Sequence, residues 1–540
     1  MKTTRRRFLQ YTAAAWAGDL ACRSRAAGIA RMGSPDVVTS HLTVRCYTAK
    51  GEPLLASALG ALFLFEAAGD RNSLPHPKRE LSDGAVRTEV PQQSVGFSHA
   101  MAVEGFGNVR MYADAEGRGY RSGQEVILNR EFAASRLAVV DSVLAQARTD
   151  AISLPDAILT RVQKAKTLLR QGDASRPEPR KAVPLWMQSL RESLWAGEEL
   201  VLARARHAIA RRGPRKGFLF GCNFFGYPAQ GEAYAQRFAE LFNFATLPLY
   251  WRSFEPEEGK PRFARVDEML GRLEKLGIAA KGHPLCWFHE AGCPTWMAGK
   301  SFEQWRQRYR QRITEIVTRY RGRIPVYDVI NEAHDWGNDP HFSQEQLLEM
   351  TRIAADATHA ADPKAVRVVN NCCLFGEYVA SQTTYKGKQP RPLRSPLQYL
   401  RSVLQAGVQF DAIGLQVYYP EHDMLEISRM LDRFAALGKP LHVTELGVSS
   451  SDERDENAHG KEPSKAYWHA PWSETIQADW IEQFYTVCYA HPAVQAVTWW
   501  DFADAGGHFW PHGGFLRPDR QPKESFGRLQ RLLRQWSQTR

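Results

Sequence analysis

The stretch Val326-Tyr327-Asp328-Val329-Ile330-Asn331-Glu332 is a short apolar run that finishes on an amide and a carboxylate. Its length and its Val and Ile content read as a buried parallel strand. A second run, Leu441-His442-Val443-Thr444-Glu445-Leu446, has the same form and carries Glu445 near its end. An ionised carboxylate in that position costs several kcal/mol to desolvate unless it is paired or used. Two carboxylates facing one cavity are what hydrolysis of a glycosidic bond requires, one as acid and the other as nucleophile or base.

Around these runs the chain from Gly217 onward alternates strand and helix. Strand candidates occupy 218–222, 245–250, 279–283, 326–332, 366–370, 412–416, 441–445 and 496–500. Amphipathic segments lie between them, among them 302–320, 344–360 and 474–490. Ser301-x-x-Gln304 and Ser343-x-x-Gln346 have the form of capping boxes that open two of the helices. Eight strands alternating with helices predict a (β/α)8 TIM barrel over 217–540. The competing doubly wound sheet would carry a glycine-rich nucleotide turn after its first strand, and none follows 218–222.

Upstream, 35–132 is rich in strand-like pieces separated by Gly-, Asp- and Asn-bearing turns, which predicts a β-rich accessory domain of sandwich type. Residues 133–216 change to helical spacing, with Leu137, Val140, Val143 and Leu144 on one face. A proline-bearing loop at 177–184 is expected to interrupt this helical connector, and 211–216 to form the joint to the barrel. Residues 1–34 read as a leader: Thr4-Arg5-Arg6-Arg7-Phe8-Leu9-Gln10 and the apolar stretch after it resemble a twin-arginine export signal. Periplasmic or secreted location is therefore expected. Lipid anchoring at Cys22 is not, because Asp19 stands where an apolar residue should be.

The 540 residues exceed a single core, so two or three domains are expected. The net charge of +11 could suggest nucleic acid, but its contributors are scattered over helix faces, as at Arg306, Arg308, Arg310 and Arg312, or lie in linkers. Nucleic acid is not an expected partner. Nor is a membrane span, since no run of about 20 apolar residues occurs. The eight cysteines include no C-x-x-C pair and no Cys/His ligand spacing, so neither metal nor cofactor is implied. Several lie in apolar runs, where a free cysteine acts as a small hydrophobe.

In a (β/α)8 barrel the functional groups gather at the C-terminal strand ends. Those ends carry Asn223, Tyr250 with Trp251, His283 with Trp287, Asn331 with Glu332, Asn370 with Asn371, Gln416 with Tyr418, Glu445, and Trp499 with Trp500. Amides and histidine can bind sugar hydroxyls, and indole faces can stack on pyranose rings. The segments Gly282-His283-Pro284-Leu285-Cys286-Trp287, Asp328 to Ala333, Gly414-Leu415-Gln416, Thr444-Glu445-Leu446 and Thr498-Trp499-Trp500, with Glu255-Pro256-x-x-Gly259, resemble in kind and order the motifs of glycoside hydrolase family 10, the β-1,4-xylanases. The resemblance covers about 217–536. It implies that Glu332 is the acid/base and Glu445 the nucleophile of a retaining reaction, with carboxyls about 5–5.5 Å apart. It further implies that Asn331 meets the substrate 2-hydroxyl, that His283 and Gln416 line the sugar site, and that Trp500 and Trp510 wall it. Trp287, Tyr418, Tyr250 and Trp251 complete the expected substrate-binding set for a polysaccharide or oligosaccharide.

Three departures from the family pattern stand out. The Glu, Asn and Lys usual on the second strand are absent from Thr246-Leu247-Pro248-Leu249-Tyr250-Trp251. The usual sixth-strand histidine beside the nucleophile is Tyr418, and the Asp two residues after the nucleophile is Gly447. The leading expectation is a retaining endo-β-glycosidase acting on xylan or a related β-linked plant polysaccharide. The alternatives are the same mechanism on another glycan, or a carbohydrate-binding protein on a decayed barrel.

Overall fold

A computed structural model describes residues 41–91, 93–464 and 468–538. The arginine-rich leader and Cys22 lie outside the described residues. Among the described residues no helix is long and apolar enough to cross a membrane.

The N-terminal part holds two small sheets. In the first, β1 (Leu42–Arg45) runs parallel to β7 (Glu125–Ile127) and antiparallel to β4 (Ala85–Thr88), which pairs in turn with β3 (Arg79–Ser82). The second is antiparallel, with β5 (Val95–Val103) between β2 (Phe63–Glu66) and β6 (Gly107–Ala113). Four-residue strands bury little surface on their own. Leu42, Val44 and Val86 of one sheet and Phe97, Val109 and Met111 of the other therefore share a core with Phe132, Trp186 and Leu190 of the helices that follow.

Those helices are α1 (Leu128–Thr149), α2 (Asp156–Ala174) and α3 (Pro179–Arg212). The loop expected at 177–184 ends early. Pro179 opens α3, where its missing N–H costs nothing, and Pro184 lies inside the helix. That proline removes only the donor that would meet the Arg180 carbonyl. Spanning about 50 Å at 1.5 Å per residue, α3 enters two cores. Ala182, Val183, Trp186 and Leu190 pack under the sheets, while Leu200, Val201 and Ile209 pack against the barrel.

The barrel closes in the order β8 (Leu219–Asn223), β9 (Phe244–Pro248), β10 (Ala279–His283), β11 (Val326–Asn331), β12 (Val366–Asn371), β15 (Ala412–Val417), β16 (Leu441–Leu446), β17 (Val494–Trp499), with every neighbouring pair parallel. A two-stranded hairpin, β13 (Thr383–Thr384) with β14 (Gly387–Lys388), decorates the loop after β12. Both expected capping boxes form: the Ser301 and Ser343 hydroxyls accept from the N–H groups of Gln304 and Gln346. A third opens Pro396–Gln405 at Ser395.

The N-terminal unit docks on loops at the C-terminal ends of β12 and β15. Arg110 N donates to the Glu421 carbonyl at 2.8 Å, Tyr112 meets His422 at 2.9 Å, and Arg136 pairs with Asp423 at 2.7 Å. Glu426 is ringed by Arg429 and Arg433, each at 3.0 Å, and by Arg71 of the N-terminal unit at 3.5 Å.

Candidate active site

Glu332 and Glu445 meet at the C-terminal mouth of the barrel, 2% and 7% exposed. Glu332 follows β11 with a left-handed backbone, φ +55°, and its N–H donates to the Asn370 carbonyl at 2.9 Å. A non-glycine residue held there costs of order 1–3 kcal/mol, a strain that the surrounding strands must fix in place. Its carboxylate accepts from Trp287 Nε1 and from Gln416 Nε2, each at 3.0 Å. Glu445 accepts from the Tyr418 hydroxyl and from Asn370 Nδ2, each at 3.3 Å.

One amide chain joins the two carboxylates. Gln416 Nε2 also donates to Asn331 Oδ1 at 3.2 Å, Asn370 Nδ2 donates to the same oxygen at 2.7 Å, and the Thr444 hydroxyl donates to Asn370 Oδ1. Register brings them together: Asn331 pairs with Asn370 across β11 and β12, and Gln416 pairs with Glu445 across β15 and β16. Gly414 makes the chain possible, since a Cβ there would lie 2.5 Å from Asn370 Oδ1.

Below lies a charged floor. Asp328 accepts from His283 Nδ1 at 2.7 Å and pairs with Lys281 at 2.8 Å, and all three are excluded from water. Burial would raise the Asp328 carboxyl, but Lys281 and the His283 hydrogen bond hold it below the usual range. An ionised Asp328 assigns the imidazole proton to Nδ1 and aims Nε2 at Glu445 Oε1, 3.7 Å away.

Burial pushes both catalytic candidates up, Glu332 to about 7 and Glu445 to about 8, and the charge of Glu332 adds to the rise at Glu445. Two neighbouring carboxyls that resist joint ionisation hold one proton between them near neutrality. That is the state from which one can act as acid while the other attacks.

An aromatic rim surrounds the pair. Tyr250 and Phe225 meet edge-to-face at 6.0 Å, and Phe225 meets Trp500 at 5.2 Å, with His283 beside Trp500 at 5.4 Å. Across the opening Tyr418 stacks on Trp510 at 5.2 Å, next to Phe509. Gly447 is explained by this packing: a Cβ there would lie 2.9 Å from the Trp500 carbonyl and 3.3 Å from Trp510 Cγ, so no aspartate fits.

Glu332, Glu445, His283, Trp287, Asn331, Gln416, Tyr418, Tyr250, Trp500 and Trp510 thus gather at one mouth. Trp251 does not belong to it. Its indole donates to Glu255 at 2.7 Å and packs edge-on against Trp296 and Tyr309, with the Arg312 guanidinium over its ring. Tyr250 precedes a one-turn helix, Trp251–Phe254, and that turn sends the indole into the core. The sequence reading placed Asn370 among the strand-end groups without giving it a role, and passed over Lys281, Asp328 and Phe225 as site residues. Asp328 and Lys281 were visible as charges inside apolar strands, whereas Phe225 had no sequence signal.

A closed parallel barrel with two buried carboxyls bridged by amides and rimmed with aromatic rings defines a barrel glycosidase. The model of Glycosyl hydrolase family 10 matches residues 215–517, and the chain belongs to that family. Endo-1,4-beta-xylanase B of Paenibacillus barcinonensis is 26% identical over 323 residues, which is 56% of this chain and 90% of that one. Endo-1,4-beta-xylanase 3 of Arabidopsis thaliana is 27% identical over 277 residues, 50% of this chain and 32% of the relative, so this chain spans about a third of the plant protein. Native xylanase 10B from Thermotoga maritima superimposes with a TM-score of 0.47 at 19% identity, covering 62% of this chain and 98% of the other.

Proposed function

We propose that the chain hydrolyses β-1,4-xylan or a related β-linked polysaccharide with retention of configuration, using Glu445 as nucleophile and Glu332 as acid/base. Glu445 attacks the anomeric carbon as Glu332 protonates the leaving oxygen, and Glu332 then deprotonates the water that frees the glycosyl-enzyme. The observation that carries this reading is the amide-bridged carboxyl pair at the barrel mouth. The hydrogen bond that Tyr418, standing in place of the family's usual histidine, donates to Glu445 speaks against a decayed binding protein. The test is product release from a panel of β-glycans with NMR of the first-formed anomer. An inverted product, or no release from any glycan, overturns the assignment.

The substrate reading is sharpened by Tyr250 and Phe225. No charged side chain of β9 reaches the sugar side, and an aromatic wall stands there instead. Stacking reads hydroxyl patterns less closely than charge-assisted hydrogen bonds, each worth about 1.5–3 kcal/mol. The expected outcome is weak action on short linear xylo-oligosaccharides and tolerance of decorated chains. A steep rise in kcat/KM with each added upstream xylose would count against it.

A further inference from the structure

The loops that follow β16 and β17 meet at one buried carboxylate, Asp455. Its Oδ2 accepts from His508 Nε2 at 2.7 Å and from the His512 N–H at 2.8 Å, both on the second loop. Its Oδ1 accepts from the N–H groups of Asn457 and Ala458, at 3.0 and 3.2 Å, on the first. An ionised carboxylate offers about four acceptor positions, and Asp455 uses that capacity in full. Backbone bonds reinforce the seam: the His459 N–H donates to the His508 carbonyl at 2.9 Å, and the Ser450 N–H to the His512 carbonyl at 3.1 Å. Lys523 Nζ donates to the same His512 carbonyl at 2.9 Å.

The two histidines flank Phe509 and Trp510 in the segment Gly506-Gly507-His508-Phe509-Trp510-Pro511-His512-Gly513-Gly514. A glycine pair on either side leaves the backbone much freedom to lose on ordering, and Gly506 and Gly507 sit at φ +79° and +87°. The segment therefore depends on ties from outside it, the Phe509 N–H to Asp501 being another. Its indole stacks on Tyr418, 5.2 Å between centroids and 14° from parallel, while the Tyr418 hydroxyl donates to Glu445 at 3.3 Å.

We propose that Asp455 is a positioning residue for the sugar site: it clasps the glycine-flanked segment so that Trp510 is held as a wall for the substrate and as the backing of Tyr418. This rests on the hydrolytic site proposed above. The partners of Asp455 are His508 and the backbone of both loops, so its effect on a bound sugar passes through the indole. Burial would raise the Asp455 carboxyl and lower the His508 imidazole. Their mutual hydrogen bond reverses both shifts, helped by the His512 N–H at the carboxyl and by Asp504 and Asp501 facing the imidazole. The clasp is thus a charged pair in mildly acidic solution.

The test uses the full chain, with a soluble arabinoxylan as substrate. Asp455→Ala is expected to raise KM about tenfold, the weight of one aromatic contact, while kcat falls by about threefold or less. In a Trp510→Ala background the same substitution should leave KM where it was, because the wall through which it acts is gone. An equal rise in both backgrounds would overturn the proposal. His508→Leu should repeat the loss, whereas His508→Gln, whose amide donates from the place of Nε2, should keep the wild-type KM; this pair decides the matter if Asp455→Ala does not fold. Hydrogen exchange of the amides in 508–513 reads no activity. It is expected to quicken about tenfold or more in Asp455→Ala and His508→Leu, and unchanged protection overturns the clasp whether or not glycan is hydrolysed. Faster exchange in a protein that releases no sugar would strike the hydrolytic reading and leave the clasp standing.

Discussion

Glu332 and Glu445 at the barrel mouth and Glu426 at the seam with the N-terminal unit are all nearly excluded from water, yet they end in opposite states. Burial lifts the mouth pair: Glu332 accepts from a neutral amide and an indole, and Glu445 is raised further by the charge of Glu332, while Lys281 and Asp328 beneath it act in opposite directions. Burial would lift Glu426 as well, but Arg429, Arg433 and Arg71 overturn it and hold the group far below the usual range. Burial alone does not decide the chemistry; the charge of the first neighbours does. One region keeps a proton ready to move, and the other keeps a fixed charge that ties two parts of the chain together.

The largest expected effect falls on the mouth. Glu332→Gln and Glu445→Gln should each lower turnover by about 10²–10⁴-fold or more with the fold intact by circular dichroism. Azide should restore turnover to Glu445→Ala as a glycosyl azide, since a small anion fills the vacated position. Full activity in either Gln variant would remove the functional half of the contrast.

The seam should fail in a different currency. Glu426→Gln leaves guanidinium groups facing each other and is expected to cost about 3 kcal/mol in denaturant unfolding, with little change in KM. Wild-type stability from Glu426 is present above its unfolded value of 4.5 and is lost only as pH falls through a much lower folded value. The deficit of the variant should therefore close on acidification.

Glu332→Gln should show the reverse. The folded group stays protonated up to about 7, against 4.5 unfolded, so wild-type stability drops as pH rises through that window. The Gln variant should become the more stable protein there, by on the order of 2–3 kcal/mol at pH 8 relative to pH 4. Urea titrations at the two pH values measure it, and equal gaps would show that the site has no raised carboxyl.

The smallest effect is expected at Tyr418. Tyr418→Phe removes one hydrogen bond to Glu445 and keeps the stack on Trp510, so kcat should fall about tenfold or less. A loss as large as that of Glu445→Gln would make the phenol an equal partner in the chemistry.

The barrel was legible because eight buried parallel strands leave short apolar runs that alternate with amphipathic helical segments, and the carboxyl pair because a charge at the end of such a run is costly. Trp251 was misplaced because adjacency to Tyr250 does not reveal a one-turn helix that reverses the side chain. Pro184 concealed the start of α3, since proline reads as a break unless the helix tolerates one lost bond. The sheets were expected to form a core of their own. Their sharing of Phe132 and Trp186 depends on contacts far apart in sequence, which local pattern cannot show.

The long helix α3 has a consequence for how this protein can be inherited and rearranged. A cut at the joint before β8 would strip Leu200, Val201 and Ile209 from the barrel and leave bare the helices Met424–Ala435 and Glu474–Ala490 that they cover. A barrel transplanted without its first two hundred residues would carry a sticky flank and tend to clump. The catalytic part is thus not a portable cassette, and gene fusions that treat it as one should yield insoluble protein, while fusions that keep α3 whole should not.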